Sequence, residues 1–409
     1  MPPRVMLLIP SLTYRAPDFM NAASGLDIEV VVASDREQVL QSAFPGRTLT
    51  VDFGRSEHGA EQIAAFAALH PLQAVLALDD AGTLTAAHAS ERLGLRHNPV
   101  EAVAATRSKL LLRQKLAAAG IKSPLFQLVN PGGVTNSTVP FPCVVKPLSL
   151  AGSRGVIRAD DARELASAIE RSASILEMAR QAGDCDDTEH ALLVEGYIPG
   201  REVSVEGLLA SGRLRCLALF DKPDPLEGPF FEETIYVTPS RLPKEVQQAV
   251  IECAERAALA LGLEDGPLHA ELRVNSDGVW PIDIAARSIG GHCSRALTFG
   301  TGMSLEEILL RHAIGEPLPT LDRESAASGV MMIPIPEAGV LERVEGITDA
   351  MAVPDVTEVD ITTRRGGELV PLPEGSEYLG FIFARAATPE AAEEALREAH
   401  RRLRIEMRR

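Results

Sequence analysis

Short apolar runs alternate with amphipathic stretches along the first hundred residues. Residues 5–9, 28–33 and 74–78 are apolar almost without interruption, the pattern of strands buried on both faces of a parallel sheet. Residues 57–69 and 83–93 carry their apolar positions at helical spacing. This order predicts a βαβ unit with an open parallel sheet. Pro10-Ser11-Leu12-Thr13 follows the first strand where a dinucleotide fold would place GxGxxG, which disfavours a Rossmann site.

His97-Asn98-Pro99 closes that unit. A helix follows and stops at Gly120, a residue suited to ending helices. Beyond Ser123-Pro124 the pattern turns strand-rich: 126–129, 143–146, 192–195, 202–209 and 214–220, interrupted by a helix over 162–173. The stretch 183–189 is acidic and aperiodic, as a solvated loop is. A helix over 244–261 precedes strands at 268–274 and 279–284. A last unit opens with a strand at 329–333 and ends in a long charged helix over 389–408. The expected domains are 1–97, 98–325 (with a lobe at about 125–195) and 326–409.

Composition narrows the partners. The chain has 409 residues, enough for two to four domains. Its 40 Lys and Arg against 57 Asp and Glu give −17, which argues against a nucleic-acid protein and against binding to anionic membrane surfaces. A few local cations can still hold phosphates. No run approaches the ~20 apolar residues of a membrane span, and 5–9 is too short for a signal-peptide core. Five scattered cysteines without a CxxC pair fit a reducing cytoplasm, with neither a disulfide framework nor a zinc site.

Three stretches carry candidate chemistry. In Pro142-Cys143-Val144-Val145-Lys146 a buried strand delivers a lysine, and Gly152-Ser153-Arg154-Gly155 then lets backbone N–H groups approach a ligand closely. This is not a P-loop, since GxxxxGK[ST] is absent from the chain. Alternation in Leu268-His269-Ala270-Glu271-Leu272-Arg273 puts His269, Glu271 and Arg273 on one face. If Ser276-Asp277-Gly278 is a three-residue turn, Glu271 pairs with Asp283, and two carboxylates roughly 5 Å apart at the backbone call for a cation between them. That cation is Mg²⁺ bridging phosphates, or an arginine, Arg273 or Arg287. In Val194-Glu195-Gly196-Tyr197 and Glu202, glutamates flank a connector that suits a ligand edge, although two surface glutamates would read the same.

These stretches, in this order, resemble the ATP-grasp superfamily from about residue 98 to 310. Its closest subgroup is the L-amino-acid ligase type of carboxylate–amine ligase. The resemblance implies an α/β and α+β multidomain protein: an N-terminal parallel βαβ domain, a central ATP-grasp fold of two β-rich lobes and a C-terminal α+β domain. It implies that Lys109 and Lys146 contact ATP phosphates under a lid containing Gly152, Ser153 and Gly155. Glu195 and Tyr197 match the hinge that reads adenine, and Glu202 the ribose ligand. Glu271 and Asp283 match the carboxylates that hold Mg²⁺ or Mn²⁺, and Arg287 the phosphate-side arginine, catalytic with Lys146. Glu232 and Glu233 fall in a stretch like the subgroup's substrate loop, and Gly290, Gly291 and His292 in one like its signature after the metal strand. Asp283 stands where the family usually has Glu, and Ala285 where it usually has Asn. The implied reaction joins a small carboxylate and an amine through an acyl phosphate, in the cytoplasm, and a homodimer is compatible with it. A carboxylase or purine-pathway ligase, and a nucleotide-binding module without catalysis, are the competing readings.

Overall fold

The parallel sheet expected at the N-terminus runs in the order Thr48–Thr50, Glu29–Ser34, Arg4–Leu8, Ala74–Ala77. The computed structural model describes every residue except 1, 12, 38–45, 133–136, 183–189 and 409; the acidic stretch 183–189 thus lies outside the described residues. Val5 to Leu8 are fully buried, as strands covered on both faces by helices must be. The helix Asp80–Leu93 starts just beyond the carboxyl end of its strand. Asp80 therefore stands at the edge where open parallel sheets present ligand-binding residues.

Three antiparallel sheets follow among the described residues, the smallest of Glu368–Leu369, Gly339–Glu345 and Arg404–Arg408. Phe126–Val129, Leu192–Gly196, Cys143–Pro147 and Ile157–Ala159 form a four-stranded lobe against the helix Ala162–Ala182, which runs nine residues past its expected end. The larger sheet has eight strands, all paired antiparallel: Gly278–Ala285, Gly266–Asn275, Arg201–Ala210, Arg213–Asp221, Ile235–Thr238, Ala327–Ile333, Gly380–Ala386 and Val356–Asp360. It runs straight across the division expected at residue 325, because Ile235–Thr238 pairs with Ala327–Ile333. One apolar cluster, including Leu7, Phe220, Leu309 and Phe381, joins all three stretches of sequence.

Two local expectations are corrected. The terminal helix spans only Pro389–Arg402, and Arg404–Arg408 is a strand against Gly339–Glu345. The alternation Arg404-Ile405-Glu406-Met407-Arg408 has period two, and Ile405 and Met407 pack on the core. At the hairpin, Asn275 pairs with Gly278, so the turn holds two residues, not three. A bulge at Ile282 then restores the predicted pairing of Glu271 with Asp283.

The shared sheet generates a test. A chain ending at residue 325 takes three strands from the large sheet and bares the edge of Ile235–Thr238, so it is expected to aggregate or to lose cooperative urea unfolding. A soluble, cooperatively unfolding 1–325 fragment would show that the sheet does not need its last strands.

Candidate active site

A cavity of about 300 Å³ opens where the three stretches meet, lined by Asp80, Arg107, Lys109, Lys146, Glu195, Glu271, Asp283 and Arg287 among others. Of the residues singled out from sequence, Gly152, Ser153, Tyr197, Glu202, Glu233, Gly290 and Gly291 line it too. Gly155, Glu232 and His292 do not. A Cβ on Gly155 would come within 2.7 Å of Pro147, so this glycine serves close packing of the loop on its strand. His292 is buried edge-on against Phe381, with Asp18 3.4 Å from its Nδ1.

The strand Leu192–Gly196 is anchored by a buried ion pair. Arg113 and Glu195 are 1% and 2% exposed. Arg113 Nε and Nη2 donate to the two Glu195 oxygens at 2.8 and 3.1 Å. Its Nη1 and Nη2 also donate to the carbonyls of Pro281 and Ile282, at the bulge. Lys146 Nζ lies 2.7 Å from the second Glu195 oxygen. Burial pushes the Glu195 carboxyl up, but Arg113 and Lys146 outweigh it and hold it at about 2. The Tyr197 amide donates to the Pro142 carbonyl, and its ring is flanked by the guanidinium groups of Arg158 and Arg273 at 4.4 and 5.2 Å.

Cations gather at the other end of the hairpin. Lys109 Nζ donates to the Leu150 carbonyl at 2.6 Å, tying the lysine to the glycine loop. Burial, with Lys146 and Arg107 close by, pulls its ammonium below the usual lysine range. Asp80 holds Arg287 at 2.7 Å and Arg107 at 3.4 Å. Despite its burial, Asp80 stays well below the ordinary carboxylate range because of Arg287 and then Arg107. Asp283 is raised by burial and by Glu271, against the pull of Lys109 and Lys146. The two cross-strand carboxylates thus have different neighbours: Glu271 meets Lys222 and His269, and Asp283 faces Lys109 and Lys146.

Lys222 was not singled out from sequence. It follows the strand Arg213–Asp221 directly, as Lys146 closes a buried strand of its own. Its ammonium meets Glu202 at 2.8 Å, Glu271 at 3.1 Å and Glu233 in a short contact. These carboxylates hold it well above the ordinary lysine range in spite of burial. Glu233 is pushed up to about 7, by burial first and Glu271 second. Oxygens of Glu202, Glu233 and Glu271 can lie within 4.8 Å of one another, close enough to share an ion. Glu202 also receives Arg273 Nε at 2.7 Å. His269 bridges Glu206 and Glu271 at 3.1 and 3.6 Å, and these carboxylates overcome its burial to raise it to about 9.

Two distant stretches hold the mouth. Buried Arg15 donates to Leu78 O and Ser288 Oγ at 2.9 and 2.8 Å, fixing the loop after Arg287 to the N-terminal sheet. Residues 371–378 clasp the glycine loop: Gly155 N donates to Pro373 O, Arg154 Nε to Glu374 O, and Arg171 pairs bidentately with Glu374. Ser376 and Tyr378 of the same segment line the cavity.

Comparison with known proteins agrees with this architecture. The model of the ATP-grasp domain matches residues 139–296, that of the ATP-grasp N-terminal domain 20–97, and that of the L-amino acid ligase C-terminal domain 2 residues 331–408. The chain thus carries the N-terminal and central domains of the ATP-grasp family over residues 20–97 and 139–296. Within that family it resembles L-amino acid ligases: it superimposes on the L-amino acid ligase from Bacillus licheniformis with a TM-score of 0.81 and 25% identity, over 100% of this chain and 99% of that one. It is 27% identical to alanine–anticapsin ligase of Bacillus subtilis over 62% of this chain, and 31% identical to carnosine synthase 1 of Gallus gallus over 44%. The matches span 56% and 20% of those two relatives' lengths. No helix among the described residues is long and apolar enough to cross a membrane.

The hinge ion pair has a measurable signature. Folding lowers the Glu195 carboxyl from about 4.5 to about 2, so its ionised form contributes stability in full above pH 4.5, lost as pH falls toward 2. The contribution is on the order of 3 kcal/mol. Glu195→Gln is expected to be less stable at neutral pH, yet to lose less stability than wild type between pH 5 and 3 in urea unfolding. Parallel losses in the two proteins would remove Glu195 from acid unfolding.

Proposed function

We propose that this protein is an ATP-dependent carboxylate–amine ligase that joins small amino-acid-like substrates and releases ADP and phosphate. The observation that carries this reading is the convergence of Lys109, Lys146, Arg287, Glu271 and Asp283 on one cavity beside a glycine loop. Support comes as well from the similarity to L-amino acid ligases over the whole chain.

In this reading Tyr197 flanks the base and Glu202 faces the ribose. Lys109, Lys146 and N–H groups of the loop at Gly152 and Ser153 neutralise the phosphates. Glu271 and Asp283 hold magnesium, or manganese in its place, and the bound ion would draw charge from the phosphate oxygens. A substrate carboxylate attacks the terminal phosphorus, the bond to the bridging oxygen breaks, and ADP leaves an acyl phosphate. The amine then attacks the acyl carbon and expels inorganic phosphate. Arg287 stabilises the charge that develops on the transferring group. Its aim is set by Asp80, which touches the arginine and acts through it. Glu233 offers a carboxylate to a substrate ammonium. Positioning and water exclusion do most of the work, since an acyl phosphate hydrolyses in an open site. Cytoplasmic location and a homodimer complete the proposal.

Phosphate release from MgATP with paired amino acids tests this reading. Lys146→Ala and Glu271→Ala are expected to lower turnover at least 100-fold, and undiminished turnover in either removes that residue from the mechanism. Asp80→Asn should lower kcat about 10-fold or more with a small change in the KM for ATP. An effect on the KM for ATP alone would assign Asp80 to nucleotide binding.

A further inference from the structure

Two neighbouring strands of the large sheet, Arg201–Ala210 and Gly266–Asn275, carry a polar ladder on the face turned to the cavity. Cross-strand pairing sets Glu202 against Arg273, Ser204 against Glu271 and Glu206 against His269. The alternate residues Val203, Val205, Ala270 and Leu272 are buried in an apolar cluster on the other face. The first and last pairs are closed. Arg273 Nε donates to Glu202 at 2.7 Å, and His269 Nδ1 lies 3.1 Å from a Glu206 oxygen. The middle pair stays open: Ser204 is fully buried, and its hydroxyl has no hydrogen-bond partner among the described residues. Glu271 is therefore held from its flanks, by His269 Nε2 at 3.6 Å and by Lys222 at 3.1 Å.

Glu206 has no exposed surface and does not line the cavity. Both of its oxygens accept from the Ile289 amide at 3.0 Å, and one of them also faces His269. Ile289 stands two residues beyond Arg287, and Arg15 fixes Ser288 between them. One carboxylate thus fastens the loop behind Arg287 and, through the imidazole, the orientation of Glu271. Apolar residues of similar size would pack in this place at equal or lower cost. Stability alone therefore does not account for a carboxylate and an imidazole here.

Resting on the ligase reading, we propose that Glu206 and His269 are positioning residues for phosphoryl transfer: through Ile289 and Glu271 they keep Arg287 and the ion-binding carboxylate in one fixed relation. Both act through other residues. Outer partners of this kind orient a metal-binding carboxylate, and their loss lowers ion affinity by about 10–100-fold.

The test compares His269→Gln, His269→Asn, Glu206→Gln and the double variant Glu206→Gln/His269→Asn. Glutamine sets an amide where Nε2 faces Glu271, and asparagine sets one where Nδ1 faces Glu206. The first readout is the affinity for Mn²⁺ in the presence of ADP, followed by the paramagnetic resonance of free Mn²⁺. His269→Asn is expected to weaken Mn²⁺ about 10-fold or more, and His269→Gln to recover most of that loss. An imidazole that serves only the fold gives the reverse order or no difference, since asparagine keeps the bond to Glu206; either result overturns the proposal. The losses of Glu206→Gln and His269→Asn should combine to less than their product, and losses that multiply overturn it too. Glu206→Gln reaches the ion only through His269, so by itself it should weaken Mn²⁺ about threefold or more. An unchanged affinity in that variant overturns the proposal even if the His269 variants fail to fold, as does wild type that takes up no Mn²⁺ beyond what ADP holds. The second readout is phosphate release from MgATP with paired amino acids. There Glu206→Gln should lower kcat about 10-fold with the KM for ATP changed less than about twofold. A change in KM alone overturns the link to Arg287. Wild type that releases no phosphate with any pair sinks the ligase reading alone, and the Mn²⁺ series still decides whether Glu206 and His269 position Glu271.

Discussion

The site depends on one guanidinium. Arg113 is removed from water, and a charge so buried is tolerated only if nearly all its donors are matched. It meets that condition with Glu195 on the strand Leu192–Gly196 and with two backbone carbonyls of the strand Gly278–Ala285. The helix Lys109–Ala118, the small lobe and the large sheet are thereby fixed to one planar fork. Lys146 sits on the same carboxylate, so the position of this cavity-lining lysine follows from the pair. The bulge that aligns Glu271 with Asp283 puts its carbonyls within reach of Arg113, so the irregular hairpin and the buried arginine account for each other.

A second level of organisation comes from the N-terminal unit. Asp80 and Arg15 reach across to Arg287 and Ser288, leaving the loop after the hairpin little freedom. The parallel sheet thus contributes to the site through its carboxyl edge, although the large sheet supplies more of the charged lining. Geometry held by buried ion pairs is costly to rearrange, which suits a reaction that relies on placement more than on covalent help from the protein.

The sequence was most legible where a single segment carries its own period. The strand Phe126–Val129 and the helix Lys244–Leu261 have the bounds read from the pattern. The pairing of Glu271 with Asp283 was anticipated, but the turn length used to derive it was one residue too long, and the bulge compensated. At the terminus, the high charge of 404–408 masked a period of two. Residues that act through distant partners were invisible. Nothing near Lys222 in sequence announces Glu202, Glu233 and Glu271, and nothing near Asp80 announces Arg287 207 residues away. A lysine at the end of a buried strand is the one local sign, and Lys222 shares it with Lys146.

The segment 371–378 has a consequence of a different kind. With Pro373 and Glu374 it grips the glycine loop, and with Ser376 and Tyr378 it lines the cavity. One stretch of backbone therefore both holds the loop and shapes the cavity. On the ligase reading, nucleotide and substrate would both bear on this segment, and linkage would make any effect mutual: the factor by which one ligand tightens the other is the same in both directions.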